Sequence, residues 1–168
     1  MSIDITLPDG SVRNYESPVT GFQIAESIGP KLLKDAVCIE INNSFKDLSY
    51  EVSSDNNVRI ITNKDLDALH ILRHSSAHIL AQAVLNLYPD AQFGVGPSIE
   101  NGFYYDFLFS NPIKENDLID IELEMKKIAK DSQSFIRSEI TKKDAIKLFK
   151  NQNLKIELIE TAETDEGV

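Results

Sequence analysis

The residues in this chain best suited to chemistry are two histidines in Arg73-His74-Ser75-Ser76-Ala77-His78, four positions apart. On a helix that spacing puts both imidazoles on one face, stacked one turn apart. Paired imidazoles can hold a metal ion or move protons near neutral pH. Two nitrogens are half of a tetrahedral metal site, and the chain offers little to complete one: a third histidine, His70, and a single cysteine, Cys38. Each four-residue step turns a side chain by roughly 40° on a helix of 3.6 residues per turn, so His70 sits farther round, toward solvent. Taken alone, the pair is also what a solvated helix face can carry. Cys38 lies in the apolar run Ala36-Val37-Cys38-Ile39-Glu40-Ile41 and reads as a buried structural thiol. Tyr104-Tyr105 belong to an aromatic run in which successive side chains point to opposite faces, so one of the two faces the helix layer and the other does not. Lys155 by itself is an ordinary surface lysine.

The elements that would position these groups fall in two parts. Over residues 1–62, Ile3-Asp4-Ile5-Thr6-Leu7 alternates apolar and polar, Pro8-Asp9-Gly10 signals a turn, and Ser11 to Tyr15 returns as a hairpin. Thr20 with Gln23 forms a capping-box pattern ahead of a short helix with Phe22, Ile24, Ala25 and Ile28; Gly29-Pro30 stops it. Ala36–Ile41 reads as a mostly buried strand with Asn42-Asn43 as its turn, then a short strand from Phe45 to Leu48 and a last one over Val58–Ile61. Hairpin, helix, then further strands is the order of a β-grasp, ubiquitin-like module. Asn63-Lys64-Asp65 is a polar junction expected to cap the next helix, Leu66 to Leu87, which carries the histidines at close to helical apolar period.

Beyond that helix the pattern is α+β. Gln92 to Val95 is expected as a strand, Asn101-Gly102 as a tight turn, and Phe103-Tyr104-Tyr105-Asp106-Phe107-Leu108-Phe109 as an aromatic strand. Asn116 to Lys130 is expected as an amphipathic helix with Leu118, Ile121, Met125, Ile128 and Ala129 inward. Phe135 to Ile140 reads as a strand, Thr141 with Asp144 as a helix cap, and Asn153 to Ala162 as a short helix. Thr161 to Val168 is polar and has no packing signal.

The chain has 168 residues, of which 42% are apolar and 26% charged, as in ordinary globular domains. No apolar run approaches the ~20 residues of a membrane span, the first residues lack a signal pattern, and one cysteine makes no internal disulfide. A cytoplasmic location is expected, with no membrane as partner. The net charge of −10 argues against coating nucleic acid by bulk electrostatics. Positive charge is still concentrated between Lys126 and Lys147, interleaved with acidic residues as on a solvated helix face.

Arg73-His74-Ser75-Ser76-Ala77-His78-Ile79-Leu80, followed by Gly96-Pro97-Ser98-Ile99-Glu100-Asn101-Gly102-Phe103-Tyr104-Tyr105-Asp106-Phe107, closely resembles bacterial threonyl-tRNA synthetases. Ile5-Thr6-Leu7-Pro8-Asp9-Gly10-Ser11 and Ile28-Gly29-Pro30 extend the resemblance through the first module, so that it covers essentially the whole chain. Alanyl-tRNA synthetases share the histidine-pair helix but lack this first module and the Asn-Gly-Phe-Tyr-Tyr-Asp run. The resemblance implies a β-grasp TGS domain over 1–62 and part of a tRNA-editing domain over 66–168. In the family the editing domain hydrolyses serine wrongly attached to threonine tRNA. Serine is threonine less one methyl, a difference worth only ~1–3 kcal/mol in a binding pocket, so a second, hydrolytic site makes up the shortfall.

By the resemblance, His74, His78 and Lys155 are the catalytic groups of that site and Tyr105 shapes its substrate pocket. The partner implied is the acylated 3′ end of threonine tRNA. The family site is completed by a Cys-x-x-x-His motif farther along, and no Cys or His follows residue 153 here. The chain is therefore expected to correspond to an N-terminal part of the family's protein, inactive by itself in aminoacylation. ATP, magnesium and a catalytic zinc are implied for the aminoacylation core, with no metal or cofactor expected in these residues. A homodimer is implied for the whole family protein. Two other readings stay open: a non-catalytic TGS-containing RNA-binding or interaction module, and a free-standing editing protein holding zinc through two histidines, a cysteine and a further histidine.

Overall fold

The alternation in the first residues becomes strand β1 (Ser2–Thr6), with Ile3 and Ile5 buried and Asp4 exposed. It pairs antiparallel with β2 (Val12–Glu16), Ile3 opposite Tyr15 and Ile5 opposite Arg13. Gly10, at φ +81°, takes the left-handed position of the connecting turn, which glycine adopts without steric cost. The structure, a computed structural model, describes residues 1–136 and 138–162. They fall into two compact units, Met1–Leu72 and Arg73–Val168.

In the first unit, β3 (Val19–Thr20) runs into α1 (Gly21–Ile28) through the expected capping box: Thr20 Oγ1 accepts the Gln23 N–H and Gln23 Oε1 accepts the Thr20 N–H. α1 ends at Gly29 as expected, but Pro30 starts a second short helix, α2 (Pro30–Asp35), in its first turn. Proline is well suited there, since its missing N–H would have no helical partner. β4 (Ala36–Ile41) and β5 (Ser44–Lys46) form a hairpin whose turn residues Asn42 and Asn43 stand at φ 50° and 62°, the tight geometry that matches strand twist. β6 (Glu51–Val52) pairs with β3, and β7 (Asn56–Thr62) joins the main sheet.

The sheet order is β2-β1-β7-β4-β5, with β1 and β7 parallel and the other neighbours antiparallel. This is the β-grasp arrangement, in an α+β chain. On one face of β4, Ile39 and Ile41 join Ile3, Ile5, Leu7, Val19, Ile24, Leu48, Val52 and Val58 in the core. On the other face Cys38 meets Ile61 and Ala68, Ala68 coming from the first turn of α3 (Leu66–Leu87). Cover on both faces explains the nearly unbroken apolar run of β4 and the burial of Cys38. Asp65 behaves differently from expectation: its carboxylate accepts from the Thr62 N–H at 2.7 Å and the Thr62 hydroxyl at 2.8 Å, closing the end of β7. The first turn of α3 is met instead by the Asp65 carbonyl, which accepts the Ala68 N–H at 3.1 Å.

In the second unit α3 continues through the histidines and is followed by a long, irregular hairpin. β8 (Gln92–Phe93) pairs with β11 (Phe107–Leu108), and β9 (Ser98–Ile99) with β10 (Gly102–Phe103). Residues 94–97 face residues 104–106, one more on the first strand, so the ladder carries a bulge. The aromatic run therefore forms two short strands instead of one, although burial still alternates along it: Tyr105 is half-buried and Tyr104 exposed.

α4 (Glu115–Lys130), α5 (Lys142–Leu148) and α6 (Asn153–Thr161) complete the described residues. Ile121, Met125 and Ile128 make the inward stripe of α4. Leu118 and Ala129, expected inward, are exposed; at 3.6 residues per turn both fall just to one side of that stripe. Thr141 caps α5 by accepting the Asp144 N–H. The strand expected over Phe135 to Ile140 is not formed among the described residues, and Phe135 and Ile136 are largely exposed. A strand needs a neighbouring edge to satisfy its backbone, and the described residues pair none with it. The polar stretch expected at the end lies, past Ala162, outside the described residues. Among those described, no helix is long and apolar enough to cross a membrane.

Candidate functional site

Helix α3 turns the i, i+4 spacing into contact. His74 and His78 meet Nε2 to Nε2 at 3.1 Å, their rings edge to face with centroids 4.6 Å apart. One imidazole donates its N–H and the other accepts, the roles exchanging with the tautomer. Two protonated rings would bring N–H against N–H, so the contact favours at most one positive charge on the pair. Burial, His74 and the Lys155 charge, in that order, hold His78 below the usual imidazole pKa. Near neutral pH its ring is therefore biased to the neutral form that can accept a proton. His70, His74 and His78 are all largely exposed along the helix, so what sets the pair apart from His70 is its ring-to-ring contact, not its burial.

Lys155 comes from the first turn of α6. Its ammonium lies 5.0 Å from the Phe93 ring centroid and 5.9 Å from that of Tyr105, within range of cation–π attraction. Burial lowers its pKa. Tyr105 stacks on Phe107 with centroids 5.0 Å apart, and burial raises its hydroxyl pKa. The missing side chain at Gly96 is what makes room for that ring. A Cβ on Gly96 would stand 2.1 Å from Tyr105 Cδ2, so only glycine lets the ring lie there.

Arg73, at the head of the histidine run, reaches the hairpin tip and donates from Nη1 to the Ile99 carbonyl at 3.1 Å and the Glu100 carbonyl at 2.5 Å. This ties the helix that carries the imidazoles to the hairpin that carries Tyr105. On the other side of His78, Phe135 approaches edge-on at 6.3 Å. It borders an open cleft of about 230 Å³ that also touches Ile79, Gln82 and Ile128.

His74, His78, Lys155 and Tyr105 are thus linked in one neighbourhood of the second unit. Cys38 belongs to the first unit's core. Phe93, Phe135, Gly96 and the clamp by Arg73 were not singled out by sequence reasoning. Gly96-Pro97 and Arg73 were visible in the motifs, but nothing in the spacing told what they touch. Among the described residues no three His, Cys, Asp or Glu side chains gather closely enough to hold a metal ion. The side chains that the structure does bring together here can transfer protons and stabilise charge.

A sheet with this mixed order, crossed by a capped helix, defines the first unit as a β-grasp domain, and residues 3–62 match the family of TGS domains. The likeness to known proteins runs much farther. The chain is 46% identical over 168 residues to the threonine–tRNA ligase of Francisella philomiragia, covering 99% of this chain and 26% of that one. It is 48% identical over 166 residues to the threonine–tRNA ligases of Streptococcus gordonii and Streptococcus pneumoniae, covering 98% of this chain and 26% of each. The chain therefore spans about a quarter of the length of these relatives, and over nearly all of its own length it is homologous to threonine–tRNA ligases. Among solved structures, a chain from the crystal structure of ATBAG1 in complex with HSP70 aligns over 95% of this chain and 92% of that one. Its identity of 10% and TM-score of 0.32 are too low to bear on fold or partner.

Proposed function

We propose that the second unit is part of an editing site that hydrolyses serine misattached to threonine tRNA, within a protein that joins threonine to that tRNA using ATP. The observation that carries this reading is the His74–His78 contact beside the Lys155 charge, in a chain homologous to threonine–tRNA ligases. In this reading residues 1–62 are the TGS domain and 66–168 a portion of the editing domain, which receives the acylated 3′ end of the tRNA.

The reaction needs a proton acceptor, a place for developing negative charge and an oriented ester. Water adds to the ester carbonyl carbon as an imidazole takes one of its protons. The carbonyl oxygen becomes an oxyanion, which the Lys155 ammonium stabilises. The tetrahedral centre then collapses, the carbon–oxygen bond to the ribose breaks, and the ribose oxygen regains a proton from the imidazolium. The products are free serine and uncharged tRNA. His78, biased toward its neutral form, suits the acceptor role, and His74 suits orienting the ester or a ribose hydroxyl. Tyr105 walls the pocket. The ATP, magnesium and zinc of aminoacylation, and a homodimer, belong in this reading to the rest of the family protein. A cytoplasmic location accords with one buried, unpaired thiol.

The test is a chimera in which these 168 residues replace the matching quarter of the Streptococcus pneumoniae ligase. It should deacylate serylated threonine tRNA, and His74→Ala or His78→Ala should cut that rate by roughly 100-fold or more while threonylation persists. Undiminished deacylation in both variants overturns the assignment. A non-catalytic reading, in which the TGS-containing chain only binds RNA, predicts RNA binding by the chimera's first quarter with no contribution to deacylation.

A further inference from the structure

Two glutamines with no motif to mark them connect the strand before the bulge to the start of α6. Gln92 donates from Nε2 to the Asn151 carbonyl at 2.9 Å and accepts the Asn153 N–H on Oε1 at 2.6 Å. Gln152 returns the pattern, donating to the Ala91 carbonyl at 3.1 Å and accepting the Phe93 N–H at 3.1 Å. Each amide uses its donor and its acceptor on the backbone of the opposite segment, as a strand neighbour would. The orientation of both amides is fixed by this, because a flipped amide would set N–H against N–H and oxygen against oxygen.

The placement relative to Lys155 is specific. Asn153 opens α6, and the first N–H groups of a helix have no partner within it; Gln92 satisfies that one from another element. Gln152 precedes the helix and makes no side-chain cap bond to it, its amide being engaged with β8. Lys155 follows two residues after Asn153, and the ring under its ammonium belongs to Phe93, whose N–H Gln152 holds. At nine residues α6 is short, and helices of that length are not stable unsupported. Its far end is held by Lys142, which donates to the Glu160 carbonyl at 2.9 Å. Its near end is held by the two glutamines.

We propose that Gln92 and Gln152 are positioning residues for Lys155: their reciprocal lock fixes the first turn of α6 against β8 and keeps the ammonium over Phe93 and Tyr105. The catalytic meaning of this lock rests on the editing reading above; the lock itself does not.

The experiment uses the 168-residue chain, labelled for NMR. Stacking over two rings should move the Lys155 ε-methylene protons upfield of those of the other lysines, and burial should hold its ammonium pKa below theirs. In a Gln92→Leu, Gln152→Leu double variant the upfield shift should fall by more than half and the pKa rise toward the ordinary lysine value. The resonances of residues 3–62 should stay in place. Gln152→Glu, which keeps the acceptor for Phe93 but loses the donor to Ala91, should give an intermediate shift, and it decides the matter if the double variant loses the helical signal of α6. Unmoved Lys155 resonances in the variant that keeps its fold overturn the proposal. In the ligase chimera the lock variants should lower the deacylation kcat by roughly tenfold to a hundredfold with threonylation unchanged. If Lys155 moves in the variants while the histidine variants still deacylate fully, the lock stands and the editing reading falls. If the histidines matter and Lys155 does not move, the reverse holds.

Discussion

In Met1–Leu72 the side chains shut off from solvent are large and mostly β-branched: Ile5, Ile24, Ile39, Val52, Val58 and Ile61. In Arg73–Val168, among the described residues, Val84 alone of the large side chains is buried to that degree, and much of the rest of the interior is alanine: Ala77, Ala83, Ala91 and Ala145. Large apolar side chains such as Ile119, Leu123, Phe135 and Ile136 are exposed there instead. The first unit keeps its shape by apolar volume. The second keeps the geometry of its site by directed hydrogen bonds: Arg73 on the hairpin carbonyls and the two glutamines between β8 and α6. A packed core tolerates no gaps, whereas a site built on a few polar links can shift while the fold survives.

The largest effects that test this contrast are in the cores. Ile39→Ala should destabilise the first unit by about 2–5 kcal/mol, since Ile39 is completely buried between β1, α1 and their neighbours. Ile121→Ala, at the smaller cluster of the second unit, should cost about 2 kcal/mol, the low end of the same range. Urea unfolding with resolved NMR probes in each unit measures both; equal losses would break the comparison. A second pair uses glycines. Gly21→Ala puts a Cβ 2.7 Å from Ile39 Cγ2 and 3.0 Å from the Leu48 carbonyl, and because backbone cannot give way it should cost about 1–3 kcal/mol. Gly96→Ala meets the Tyr105 ring, a half-buried side chain that can swing out. It should cost less stability than Gly21→Ala yet abolish the Tyr105–Phe107 stacking and reduce the ring shift on Lys155 to the part that Phe93 supplies.

The same contrast explains what the sequence made legible. Period-2 alternation in β1, the Thr20–Gln23 box and the Asn42-Asn43 turn are local codes, each confined to a few neighbouring residues, and each formed as read. The apolar run of β4 announced burial on both faces before either cover was known. The histidine spacing announced its own contact for the same reason, because i and i+4 meet on any helix. Gln92 with Gln152 is separated by sixty positions and follows no period, and an amide is an unremarkable residue until its partner is known. Phe135-Ile136 misled in the opposite sense: its apolar, β-favouring residues promised a strand, but a strand is a property of two chains of backbone, and local composition does not supply the second. The short α2 was missed because Gly29-Pro30 reads first as a stop, though proline is equally a helix opener.

Arg73→Ala should have a smaller effect, about 1 kcal/mol on the second unit, because the guanidinium is only partly buried and water can replace it on the two carbonyls. Its local consequence should be sharper than its global one. Amide exchange at Ser98 to Phe103 should quicken while exchange in residues 3–62 stays unchanged. Quickening spread evenly through the second unit would mean that Arg73 supports its core, not its hairpin, and would weaken the distinction between volume and directed bonds.

The smallest effects are those of pH, and the two units should respond with opposite sign. In the first, burial pushes the Cys38 thiol up to about 11, with the Glu40 charge adding to it. The folded state disfavours the thiolate, so this contribution to stability is whole below the ordinary thiol value of 9.0 and is lost as pH rises from there toward 11. In the second, burial, His74 and Lys155 hold the His78 pKa below 6.5. The folded state disfavours the imidazolium, so the contribution is whole above that ordinary value and is lost as pH falls below it. Unfolding followed separately in the two units should therefore show residues 3–62 weakening on the alkaline side and the second unit weakening on the acid side. Cys38→Ala should flatten the first slope and His78→Gln the second, each without touching the other. An acid slope that persists in His78→Gln would assign it to carboxylates such as Asp144 or Glu124, whose pKa values are lowered by hydrogen bonds to Lys147 and Asn86, and would mean that the His78 imidazole does not carry the acid response of the second unit.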